Sequence, residues 1–190
     1  MMTRLNGNHT YPYLIIIAVL SWCLIKLAGV DELNRIAVPA HSPDYFSKGY
    51  SKWEMNDLGR PNSKLLAEAM IHYSDDGTTH LENPIMFFYN DKTPPWVIKS
   101  ETGILSADGK DLLLNGKVYV DRASGEGVRE LKIYTFNLKV KPETSYAETN
   151  EWAELISLPN WTTGIGMKLF FAQPIHLELL SNVKGNYETK

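Results

Sequence analysis

The sequence predicts an all-β domain of antiparallel strands behind a single N-terminal membrane-spanning helix. Three observations carry that expectation. Side chains alternate apolar and polar with period two through most of residues 64–183, the pattern of a strand whose two faces see different surroundings. Gly, Asp and Pro turns interrupt the alternation at intervals of about 8 to 12 residues, the spacing of a sandwich or barrel. One uninterrupted apolar run, Leu14 to Ile25, stands near the amino terminus.

The run reads YLIIIAVLSWCLIKLA over 13–28, with Lys26 its only charge. Extended to Val30 it gives a transmembrane helix over 13–30, close to the roughly 20 residues that cross a bilayer. A cleaved signal peptide and a soluble core helix are the rivals. KLAGV is a poor small-x-small cleavage site, and Trp22 and Lys26 sit badly before one. Arg4 precedes the run while Asp31 and Glu32 follow it, so the positive-inside rule leaves 1–12 as a short cytoplasmic tail and sends the rest outward. Residues 31–48, with Pro39 and Pro43 among small and polar residues, read as a linker, and 49–190 as the β domain.

In that domain KLLAEAMIHY alternates Leu65, Ala67, Ala69, Ile71 and Tyr73 before the SDDG turn. A helix is the rival for this segment, because Leu65, Leu66, Ala69 and His72 also have helical spacing. THLENPIMFFYN reads as one strand up to NDKTPP, and WVIKS follows up to the SADGKD turn. In LLLNGKVYV, Leu112, Leu114, Gly116, Val118 and Val120 share one face. After ASGEG come VRELKIYTFNLKV, a KPETS break, AELIS, GMKLFF and IHLELLSNV. GIG at 164–166 marks a bend in a strand.

Chemistry is sparse. The net charge of −3 excludes the basic footprint of a nucleic-acid binder, and the lone Cys23 cannot form a disulfide within the chain. Histidines 9, 41, 72, 80 and 176 show no metal-ligand spacing, and Asp75-Asp76 suits a hairpin turn. The chain has no nucleophile elbow, phosphate-cradling loop or zinc spacing. An enzyme is not expected, nor a cofactor or metal, and the sequence points toward binding. A jelly-roll enzyme would need a carboxylate pair across a cleft, for which Glu101, Asp108 and Glu148 are unremarkably placed.

LENPIMFFY, PPWVIKSETGILSADGKDLLLNGKVYV, TFNLKVKPETSYAET, TTGIGM and LLSNVKGNYE occur in order between about residues 43 and 188. This ordered set, behind one apolar span, resembles the LptC family of lipopolysaccharide-export proteins. The resemblance implies an elongated twisted β-jelly-roll in the periplasm, anchored by one span in the inner membrane. It implies as partners lipopolysaccharide, an inner-membrane ABC transporter complex that supplies it, and a periplasmic bridge protein of the same fold (LptA type) that receives it. A homodimer is left open. A membrane-tethered β-domain scaffold that binds proteins but not lipid is the competing reading.

A jelly roll would place the apolar parities between two sheets about 10 Å apart. Parity then nominates a lipid-binding groove of Tyr50, Leu81, Phe87, Trp96, Ile98, Leu112, Leu114, Val118, Val120, Leu177, Leu179, Val183 and Tyr187. Ser100 and the Tyr187 hydroxyl are rim candidates for sugar or phosphate. The last strand leaves little chain to cover it, so Leu177, Leu180, Val183 and Tyr187 are expected on an edge open to a partner.

Overall fold

The computed structural model describes residues 10–27, 41–90, 92–172 and 174–188, and these fall into two units, one ending at Ala40 and one beginning at His41. Among the described residues the first holds one helix, α1 (Thr10–Leu27), whose large apolar side chains are all exposed. It begins inside the stretch expected to be cytoplasmic tail; residues 1–9, including His9, and 28–40 lie outside the described residues. At 18 residues α1 is about 27 Å long. Among the described residues no helix is long and apolar enough to cross a membrane.

The second unit is all antiparallel sheet. Its strands are β1 (Pro43–Met55), β2 (Pro61–Tyr73), β3 (Thr79–Glu82), β4 (Ile85–Phe88), β5 (Trp96–Leu105), β6 (Leu112–Arg122), β7 (Leu131–Lys141), β8 (Tyr146–Ser157), β9 (Asn160–Phe170) and β10 (His176–Asn186). They lie in chain order, with β3 and β4 sharing the lane between β2 and β5. Every link except the one from β3 to β4 is a hairpin between neighbours, so among the described residues β1 and β10 are the two edges. Two boundaries correct the expectations. β1 begins at Pro43, inside the expected linker, because its backbone pairs with His72 and Ile71 of β2. The expected strand over 79–90 is two strands, because Asn83 adopts φ 48° and Pro84 carries no N–H.

The SKLLAEAMIHY segment is the heart of β2, so tertiary pairing on both sides overrides its helical propensity. The turns fall where Asp and Gly predicted them. Asp76 accepts the Thr78 amide at 2.8 Å, and Asp108 accepts the Lys110 amide at 3.0 Å.

A band of irregular backbone crosses the sheet at mid-strand. Gly49, Asn83, Gly116, Asn137, Gly166 and Asn182 all take positive φ. Register shifts occur at Ser100/Thr102, Leu114/Lys117, Tyr134/Lys139, Thr149/Trp152 and Ser181/Lys184. Each bulge inserts a residue and bends the strand; across the band the parity of the buried positions inverts in β5 and β7 and is kept in β6 and β8. Thus Ile133 and Thr135 are buried before the band, and Leu138 and Val140 after it. Side chains take up the freed backbone groups. Asn137 Oδ1 accepts the Gly116 amide at 3.0 Å, Thr149 Oγ1 donates to Phe136 O at 2.7 Å, and Thr135 Oγ1 donates to Trp152 O at 2.9 Å.

The bend folds the sheet over itself, so the two halves of each strand lie in opposite layers. Phe88 and Trp96, from one half, meet Phe171 from the other: the Phe88–Phe171 rings stack at 4.5 Å and Trp96 lies edge-on at 5.4 Å. Leu65 and Met86 likewise face Leu105 and Pro142, which sits in a 3-10 turn at Pro142–Thr144. The space between layers therefore runs along strand order, from the β1 edge to the β10 edge.

Candidate functional site

The interlayer space is closed in its middle. Trp96, Ile98, Leu112, Leu114 and Val120 have no exposed surface, and Leu81 and Val118 have almost none. Sequence parity puts these seven on the inner face, and there they are. They form packed core with Met86, Phe88, Ile133, Met167 and Leu169, rather than the wall of an open channel. The distinction depends on what the opposite layer supplies, and parity along one strand carries no information about that.

The space opens toward both edges. At one end Tyr50 is half-buried against the core, and burial pushes its phenol pKa up. Beyond it Lys52 and Glu54 pair at 2.8 Å, and Ser63 Oγ donates to Glu54 at 2.9 Å. At the other end Ile175, Leu177 and Leu179 are half-buried against the same core, with Leu155 beside them. Leu179 lies over Gly164 of β9, where a Cβ would come within 3.1 Å of it. Past the bulge at Ser181/Lys184 β10 is exposed on both faces. Val183 is 55% exposed and Tyr187 69%, the latter held by a 2.7 Å hydrogen bond between its hydroxyl and Thr162 Oγ1.

Phe87 is a correction. The positive-φ residue Asn83 inverts parity between β3 and β4, so Met86 and Phe88 point inward and Phe87 outward. Its ring stacks at 6.3 Å on Tyr89, which stacks at 6.1 Å on Trp53, and Lys64 lies 4.2 Å over the Trp53 ring. Of the rim candidates, Ser100 is buried and donates to Thr102 O at 2.9 Å, inside the bulge.

Leu180 is exposed on β10, packed over Gly166, where a Cβ would approach to 2.9 Å. Leu177, Leu180 and Val183 lie on the edge strand β10, and Tyr187 follows its last residue. The first seven residues of β1 and the last seven of β10 are exposed on both faces. They leave backbone N–H and C=O groups on their free sides, a template for another strand.

Sequence parity missed one cavity. Where the bulge band crosses β1, β2 and β5, a pocket of about 640 Å³ is lined by Tyr50, Leu66, Ala67, Ile85 and Lys99, with Glu68 at its rim accepting from Asn83 at 2.8 Å. That volume suits one small ligand and no many-chained lipid. It lies beside Gly49, with φ 75°, and the register shift at Ser100/Thr102, irregularities that leave no periodic trace in the sequence.

At the far end of β5 the Arg122 guanidinium lies 4.6 Å over the Trp96 ring, and its burial lowers its pKa. On the outer surface the Tyr146 phenol donates to Glu148 at 2.8 Å. Desolvation, reinforced by that carboxylate, pushes its pKa up to about 12.

Compared with known proteins, the chain matches the model of the family described as lipopolysaccharide-assembly, LptC-related, over residues 13–188. It is 25% identical over 173 residues to the lipopolysaccharide export system protein LptC of Escherichia coli K12. That match covers 90% of this chain and 89% of that protein. The Shigella flexneri protein of the same name matches equally. Among solved structures, LptH of Pseudomonas aeruginosa, a periplasmic component of the lipopolysaccharide transport device, gives a TM-score of 0.48. Its sequence identity is 9%, over 76% of this chain and 94% of that one.

Proposed function

The chain belongs to the LptC-related family of lipopolysaccharide-assembly proteins, and from that premise we propose that it carries lipopolysaccharide between its two layers toward a bridge protein of LptA type. It is a component of lipopolysaccharide transport and not an enzyme. The observation that supports a carrier most is at the β10 edge, where Ile175, Leu177 and Leu179 are packed half-buried against the sealed core and Val183 and Tyr187 are exposed beyond them.

The energetics require such a surface. Each acyl methylene exposed to water costs about 0.8 kcal/mol, so one chain of a dozen carbons costs roughly 10 kcal/mol. At about 1.4 kcal/mol per factor of ten, a single free chain is disfavoured about ten-million-fold. A carrier must keep the tails covered throughout. In this reading Tyr50 and the inner face of β8–β10 hold the tails first. The sealed residues Leu81, Trp96, Ile98, Leu112, Leu114, Val118 and Val120 become lining when the two layers part.

The edges supply direction. The exposed end of β10 adds a strand of the bridge protein, which joins two interlayer spaces into one conduit, while β1 faces the inner-membrane ABC transporter. The chain has no ATP-binding motif, so the transporter's ATPase drives the flow. We place the protein at the inner membrane, anchored through α1, with the β domain, a twisted jelly roll in this reading, in the periplasm. The exposed apolar side chains of α1 support the anchor, since water is a poor solvent for such a surface.

Extraction of the full chain in mild detergent tests the proposal. Lipopolysaccharide should copurify, and Leu179→Asp on the inner face should reduce it at least tenfold, while Trp161→Asp on the outer face should not. If no lipid copurifies, or both substitutions act alike, the carrier reading fails. The sealed core favours the second reading, a scaffold that binds proteins alone, and retention of protein partners without lipid would establish it.

A further inference from the structure

Two residues before β1, the chain meets the β2–β3 turn. His41 Nδ1 lies 3.1 Å from Asp75 Oδ2 and 4.0 Å from Asp76 Oδ2, and the three ligand atoms lie within 4.8 Å of one another. Among the described residues this is the only grouping of three such ligands. We propose that His41, Asp75 and Asp76 form a binding site for a first-row divalent cation of the Zn²⁺ type, which clamps the start of the β domain onto the β2–β3 turn.

The three side chains are oriented by their neighbours. Asp76 Oδ1 accepts both the amide and the hydroxyl of Thr78, at 2.8 and 2.7 Å, so Oδ2 is the oxygen left facing His41. The His41 ring lies flat on Tyr73, with centroids 4.1 Å apart and planes 3° from parallel, and is tilted toward His80 at 6.2 Å. His41 itself has φ 63°, a conformation that a residue other than glycine rarely adopts. Metal ligands oriented by second partners in this way bind more tightly than free ones.

The donor set selects the ion. Two carboxylates and an unprotonated imidazole carry a charge of −2, and imidazole suits zinc and its neighbours, whereas magnesium and calcium take oxygen ligands. At metal–ligand distances of about 2.0–2.2 Å, neighbouring ligand atoms lie about 3 Å apart. The His41–Asp75 pair already has that spacing, and Asp76 closes the remainder by side-chain rotation. All three side chains are about half exposed, leaving room for water in the open positions. His41 and Asp75 are separated by 34 residues, so no local motif announces the site.

Titration of the full chain, in detergent and without a polyhistidine tag, with Zn²⁺ tests the proposal. One Zn²⁺ per chain should bind at micromolar concentration, unaffected by excess Mg²⁺ or Ca²⁺. His41→Ala and Asp76→Asn should each weaken binding at least tenfold. Thr78→Val, which removes one of the two donors that hold Asp76 Oδ1, should weaken it about tenfold, and His176→Ala should not change it. All four positions are partly exposed, so metal-free melting of these variants should match that of the parent. Affinity weaker than roughly 1 mM, or binding that survives His41→Ala, overturns the site, whatever the fate of the lipid reading.

Discussion

Phe171 joins the two layers, and its truncation tests how the sheet is held folded. The residue is 1% exposed, stacks on Phe88 at 4.5 Å and receives the edge of Trp96 at 5.4 Å. Its amide donates to Ser145 O at 2.8 Å, which fixes the backbone independently of the ring. Phe171→Ala therefore removes packing and leaves the chain trace in place. Burial of a Phe ring and the cavity left behind together cost about 3–5 kcal/mol. For a domain of this size each kcal/mol lowers Tm by roughly 2–4 °C, giving a fall of about 6–20 °C. Denaturant titration followed by tryptophan fluorescence reads the change, with Trp96 beside the lesion. A double-mutant cycle with Phe88→Ala should return a coupling of about 0.5–1.5 kcal/mol, since only the stacked pair is lost in common. A loss below about 1 kcal/mol, or no coupling, would mean that the layers are not joined through these rings.

Three further outcomes follow from named contacts. Asn137→Ala should cost about 1–3 kcal/mol in a denaturant melt, because an L-residue is strained at φ 48° and the Gly116 amide loses its acceptor; Asn137→Gly should recover part of that loss. Val183→Glu and Leu180→Glu should change stability by no more than about 0.5 kcal/mol, both positions being exposed, yet abolish capture of the bridge protein while sparing the transporter. Equal loss of both partners would refute the assigned polarity. Because the folded state raises the Tyr146 pKa above the ordinary tyrosine value of 10.0, to about 12, the stability it contributes is complete below pH 10 and declines as pH rises toward 12. Tyr146→Phe should flatten that decline, and an unchanged pH profile would contradict it.

Much of the fold was legible because alternation and turn chemistry are local. LLLNGKVYV shows both the reach and the limit of that reading. Leu112, Leu114, Val118 and Val120 are all inside, as parity required. Gly116, of the same parity, is exposed with φ 74°, because the bulge between Leu114 and Lys117 adds a residue there. A glycine permits that conformation without announcing it. Phe87 went to the wrong face for the same reason, through Asn83. Gly166, in the GIG segment, does mark a bend, with φ 75°. The candidate site divided differently. That Leu114 is inside follows from its own strand, but that it is sealed depends on what the opposite layer supplies. Those contacts are set by the fold as a whole. The His41 cluster was invisible because its partners come from a turn 34 residues away.

The central claim is that fatty tails travel between the layers. Site-resolved photo-crosslinking during ATP-driven transport tests it most directly, with the reactive group placed in turn at Leu177, Leu114 and Tyr119. The account predicts lipopolysaccharide adducts at Leu177, weaker and ATP-dependent adducts at sealed Leu114, and none at outward-facing Tyr119. Adducts with protein alone at Leu177, or lipid labelling at Tyr119 equal to that at Leu177, would contradict it.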